Sequence, residues 1–139
     1  EQIYNFNESN SPLLSNSITD ICVNGENGEV FFGTDRGMIS FRGDATEGAT
    51  NYSDVKVFPN PVRPDYRGEI AISGLVEETT VKITDVSGNL VYETESFGGQ
   101  AIWNGKDLSG NRVATGVYLV FLANREGTRA HVTKILFIH

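Results

Sequence analysis

The chain has a single cysteine, Cys22, and only two histidines, His131 and His139. One thiol excludes an intrachain disulfide framework and a cysteine-built zinc site. His131 falls in a predicted strand and His139 is terminal, and no Ser/His/Asp or His-x-x-His spacing occurs. We therefore expect no enzyme, cofactor or metal centre. A basic excess is also missing: 11 Lys and Arg stand against 18 Asp and Glu, a net charge of −7. Nucleic acid requires the opposite footprint and is excluded as a partner. No apolar run approaches the roughly 18–20 residues of a membrane-spanning helix, and no signal-peptide pattern opens the chain. Hydrophobic residues still make up 39%, enough for a folded core. The chain opens at Glu1 in loop-like sequence, as expected of a piece of a longer protein.

Proline is scarce but concentrated. Three of the four prolines, Pro59, Pro61 and Pro64, fall in "VFPNPVRPDYRGEI", residues 57–70. Proline offers no N–H to a sheet ladder and pushes the residue before it towards extended geometry. The stretch predicts an edge strand at the entry to a new domain, with missing donors discouraging unwanted pairing. The small polar run before it, residues 42–54, reads as a linker. This sets a domain of residues 1–50 before one of residues 51–139.

Short β-branched and aromatic runs dominate, and no helix pattern appears. The first part predicts strands at 18–24, 29–34 and 37–42, with turn residues between them. A fourth is possible at Ile3-Tyr4-Asn5-Phe6. Ile21, Val23, Val30 and Phe32 fall on one alternating set, and such a meander is too small to bury both faces. Docking on the sandwich, pairing with another copy or partial disorder would each relieve it, and of these association between copies is expected. The second part predicts seven strands, 55–58, 69–74, 79–86, 90–95, 100–103, 117–123 and 130–138, hence an all-β sandwich. "GVYLVFLAN" is apolar on both faces, which predicts a central strand. Gly116 before it is expected to need positive φ or close backbone approach.

Residues 10–41 resemble a repeat of the two-component-regulator type of β-propeller, through Leu14-Ser15-Asn16-Ser17-Ile18 and the turn Gly33-Thr34-Asp35-Arg36-Gly37. From residue 55 onward, "VFPNPV", "VKITDVSGNLVYE", "IWNGKDLSGNRVATGVYLV" and "TKILFIH" resemble the C-terminal domain of type IX secretion proteins of Bacteroidota. That domain is immunoglobulin-like. The middle block also resembles flagellar hook-cap immunoglobulin-like domains, with Asn104 where their pattern has Asp. The resemblance makes Pro59, Asn60, Pro61, Asp85, Gly88, Trp103, Gly105, Asp107, Gly110, Gly116, Tyr118 and Lys134 the secretion-domain motif. The combination of blade-like meander and sorting domain resembles the PorZ family. That resemblance implies an outer-membrane-associated, cell-surface protein exported through the periplasm. It also implies the type IX machinery and a PorU-like sortase as partners, with anionic lipopolysaccharide as a candidate ligand. Two other readings stay open: the passport domain of a secreted cargo enzyme or sensor, and a carbohydrate-binding sandwich. For the prolines, a structural role and a signal role stay open together.

The remaining candidates have plain structural readings. "NGENGE" (24–29) lacks the full carboxylate set of a calcium loop and reads as a solvated hairpin. In "DLSGNR", Asp107 is expected to bond backbone N–H groups. Arg42-Gly43-Asp44 spells an adhesion tripeptide by chance. Cys22, without a basic neighbour in sequence, reads as a small buried hydrophobe. Trp103 is expected in the core, with Tyr92 and Tyr118. Lys82, Arg112, Arg125, Arg129 and Lys134 read as scattered surface charges, with a patch for an anionic lipopolysaccharide as the alternative.

Overall fold

The computed structural model describes residues 4–43 and 46–138 and contains no helix among them. All ten strands are antiparallel to their partners and form three sheets. The chain divides into two compact units, 1–43 and 44–139.

The first unit is a three-stranded meander: β1 (Ile18–Asn24), β2 (Glu29–Thr34) and β3 (Gly37–Arg42). The loop 24–29 is its first hairpin. There Asn24 and Asn27 accept the backbone N–H of Glu26 and Glu29 through their side chains. The register aligns Ile21 with Phe32 and Ile39, and Val23 with Val30 and Phe41. Period-2 alternation puts these six on one face. The fourth strand does not form: Tyr4 to Phe6 carry no ladder, and Ile3 lies outside the described residues. Instead the Tyr4 and Phe6 rings lie 5.1 and 4.8 Å from that of Phe41. They cover the β3 side of the apolar face and leave Ile21 and Val23 exposed on β1. Cys22 is exposed, not buried as expected. It points to the opposite set from Ile21 and Val23, and its neighbours across the ladder are Phe31 and, beyond it, Ser40.

The second unit has two sheets: β10 (Ala130–Phe137), β9 (Gly116–Asn124), β6 (Thr79–Thr84) and β7 (Leu90–Glu95) in one, β4 (Lys56–Phe58), β5 (Ile70–Ser73) and β8 (Gln100–Trp103) in the other. Alternate residues from both meet in one core, including Ile70, Ile72, Val81, Ile83, Trp103, Val120, Leu122 and Ile135. Burying each large apolar side chain contributes on the order of 1.5–3 kcal/mol, so this core carries the unit. β9 is central as expected, but only one of its faces is buried. Tyr118, Val120 and Leu122 enter the core, while Val117 and Phe121 stay exposed because no further layer of this unit lies over them among its described residues.

The expected linker is bound from Thr46 onward. Thr46 N–H donates to Phe97, Gly99 N–H to Thr46, and Ala49 N–H to Leu75. Tyr52 is buried and its hydroxyl hydrogen-bonds Thr79. Small polar residues here supply close backbone contact: a Cβ on Gly98 would lie only 1.7 Å from the Thr46 oxygen.

Candidate functional site

The proline segment is where the chain changes sheets. Lys56–Phe58 pairs with β5; then Val62 bridges β10 of the other sheet. The peptides Phe58–Pro59 and Asn60–Pro61 are cis. Between the two pairings the prolines carry no donor. Asn60 supplies polar contacts with its side chain: Nδ2 donates to the Lys134 carbonyl at 2.9 Å, and Oδ1 accepts the Leu136 N–H at 3.0 Å. Val62 continues the pattern, donating to Leu136 and accepting from Ile138. A segment expected to prevent pairing thus latches the outer edge of the last strand. The Lys134 side chain is exposed, and its carbonyl makes the contact.

Two turns are built alike. Asp85-Val86-Ser87-Gly88-Asn89 and Asp107-Leu108-Ser109-Gly110-Asn111 share the pattern Asp-x-Ser-Gly-Asn. In each, the aspartate Oδ1 accepts the N–H of the serine and of the asparagine. The aspartate N–H donates to the asparagine carbonyl, and the glycine N–H to the aspartate carbonyl. Gly88 and Gly110 have φ of +87° and +83°, where a side chain is strained. Asp85 also accepts the Asn89 amide, and these hydrogen bonds hold its carboxyl below the ordinary carboxylate range, the Asn89 side chain contributing most.

Trp103 is fully buried. Its indole N–H donates to the Lys106 carbonyl at 2.8 Å, so the Trp103-Asn104-Gly105-Lys106 turn folds back on its own ring. Tyr118 and Phe137 pack on it, with ring centroids 6.0 and 5.8 Å away. Tyr118 donates its hydroxyl to the Ala114 carbonyl, and burial first, then the Asp85 charge, raises its pKa. Gly105 has φ +70° and an added Cβ would meet Phe137 Cζ at 2.8 Å. Gly116 is different from expectation: its φ is not in the left-handed region, and a Cβ there meets only Tyr118 Cε2 at 3.9 Å. It opens a regular strand with room for a side chain.

The structure therefore brings Trp103, Gly105 and Tyr118 together, joins Asn60 to the β10 backbone at Lys134, and leaves Asp85 with Gly88 and Asp107 with Gly110 in two separate turns. The five basic candidates are used differently from one another. Lys82 and Arg125 pair with Glu93 and Glu78, Arg129 donates to the Thr50 carbonyl, and the Arg112 guanidinium lies 4.9 Å over the Phe137 ring. A buried Trp103 offers no stacking platform to a sugar. Of the adhesion tripeptide, Asp44 lies outside the described residues, as does His139. Sequence reasoning missed the identical build of the two Asp-x-Ser-Gly-Asn turns, although the repeat is visible. It also missed the Val62 bridge and the Arg112–Phe137 stack, for which no local signal exists.

The second unit is thus a sandwich with one latched edge and two stiff aspartate turns. A family model, that of the secretion system C-terminal sorting domain, matches residues 56–138. The chain belongs to this family, whose members are type IX sorting domains. Among solved structures it is similar to PorZ of Porphyromonas gingivalis, described as an essential bacterial surface component of the type IX secretion system. The identity is 37% and the TM-score 0.67, over 99% of this chain and 18% of that one. It is also 32% identical over 90 residues to an endo-acting ulvan lyase of Formosa agariphila, covering 65% of this chain and 16% of the enzyme. The chain thus spans under a fifth of the length of either relative.

Proposed function

We propose that this chain is a non-catalytic targeting and assembly region of a type IX secretion surface component of the PorZ kind. The observation that carries the reading is coverage. The likeness to PorZ runs over 99% of the chain, so it takes in the first unit as well as the sorting domain at 56–138. In this reading the protein resides at the outer-membrane surface, keeps its sandwich, and has a PorU-like sortase as partner and an anionic lipopolysaccharide as the ligand class to test. The motif residues act as a framework: the Asn60 latch and the Trp103 cluster hold the shape that the machinery reads. Mass spectrometry of surface proteins tests it. A resident component yields peptides from β10 on intact cells, and an antibody to the sandwich co-purifies the sortase. Surface protein lacking those peptides would overturn residence.

The ulvan lyase match supports a second reading, in which the sandwich is the passport of a secreted enzyme. It requires the same peptides to be missing from the mature protein. For the isolated chain we further propose that Ile21 and Val23, 53% and 61% exposed, meet a second copy. Sedimentation at rising concentration should show a dimer, and Val23→Lys should abolish it.

A further inference from the structure

Three arginines gather beside the proline turn. Arg63 and Arg67 line a hollow of about 440 Å³ together with Phe58, Pro59 and Pro61. Arg67 and Arg112 converge on one acceptor, the Tyr66 carbonyl, with Arg112 Nη2 donating at 2.6 Å and Arg67 Nη1 at 3.1 Å. The Arg67 group also donates to the Pro64 carbonyl. Arg112 Nε is buried with no partner in the structure. Among the described residues, none of the three guanidinium groups forms an ion pair, although the chain is acidic overall. Asp65 is the one acidic residue lining the hollow, and it pairs with none of them. Two like charges sharing one carbonyl repel each other. Burial is the larger cause that lowers the Arg112 pKa, and the Arg67 charge adds to it. Planar guanidinium forks are matched by oxyanions, which bridge two of them without strain.

We propose that this hollow binds a phosphate group, free or carried as a phosphomonoester, between Arg63 and Arg67, with Arg112 adding its charge at the Tyr66 carbonyl. A phosphomonoester carries close to two negative charges and three acceptor oxygens. That suits the two arginines lining the hollow, with the Arg112 charge behind them at the Tyr66 carbonyl and one aspartate against them, better than the single charge of a carboxylate. Phe58, 76% exposed, and the two prolines form an apolar wall beside the charges, fit for the organic remainder of a phosphomonoester. The site stands apart from the sorting reading, because it rests on charge and geometry alone.

Amide NMR titration of the full chain tests it, with inorganic phosphate, phenyl phosphate and acetate as probes. Phosphate should give saturable shifts at Tyr66, Arg67 and Arg112. Combining Arg63→Gln with Arg67→Gln should weaken binding roughly tenfold. Both side chains are exposed, so the fold persists, which an unchanged unfolding curve checks; Arg63→Gln alone should give an intermediate loss. Phenyl phosphate binding tighter than inorganic phosphate, with Phe58→Ala erasing the difference, identifies a group carried on a larger molecule. Equal affinities identify a free phosphate. Absence of saturation up to about 50 mM, identical shifts in the double variant, or equal shifts with acetate would each overturn the proposal.

Discussion

A Cβ added to Gly105 would sit 2.8 Å from Phe137 Cζ at a backbone φ of +70°. Gly105→Ala should therefore cost at least about 1 kcal/mol, read by urea unfolding. Gly116→Ala should stay within about 0.5 kcal/mol, because its Cβ would meet an ordinary contact. The two glycines look alike in sequence, since both flank the same polar turn; only the fold distinguishes them by setting Phe137 against one. Asp85 makes a second test at this scale. Its folded carboxyl lies below its ordinary value of 3.8, so its stabilising contribution is complete above that value. The contribution is lost as pH falls through the depressed value. Carboxyl NMR should show a midpoint below 3.8, and Asn89→Ala should raise it, because the Asn89 amide is the largest cause. The two aspartate turns were readable because Asx chemistry is local. The exposure of Cys22 was not, because burial depends on what covers a strand, and that is decided far away in sequence.

The ten strands were legible for the same local reason: alternation and turn residues mark a strand wherever it ends up. Edges were not. The proline run announces an interruption of pairing, but its partner lies at Lys134 and Leu136, more than seventy positions on. Residues 4–6 have strand-like composition, yet their aromatic rings are used against Phe32 and Phe41, which removes them from any ladder. Asn60→Ala tests the latch. It deletes one donor and one acceptor, so a loss of about 1–2 kcal/mol is expected. The Leu136 N–H should then exchange with solvent faster, while the amides of β6 keep their protection. Uniform acceleration across the sandwich would show that Asn60 holds the whole unit and not an edge.

Taken as a whole chain, the boundary region is the place where composition misleads most. Residues 46–51 are small or polar, yet their backbone bonds Phe97, Gly99 and Leu75, and Tyr52 just beyond them is buried. A chain cut to residues 44–139 should unfold cooperatively. Cutting to 54–139 removes the Tyr52 ring and should cost about 3 kcal/mol, seen as a lower urea midpoint. The Asn60 contacts have a temporal meaning too. Asn60 and its partners on β10, the Lys134 carbonyl and the Leu136 N–H, are made at opposite ends of the sandwich's synthesis, so the latch cannot close on a partial product. Any receptor that reads Asn60 and β10 together would respond only to a sandwich whose last strand has docked, and would pass over chains interrupted before it. The edge that seals the fold would then also serve as a proof of completion.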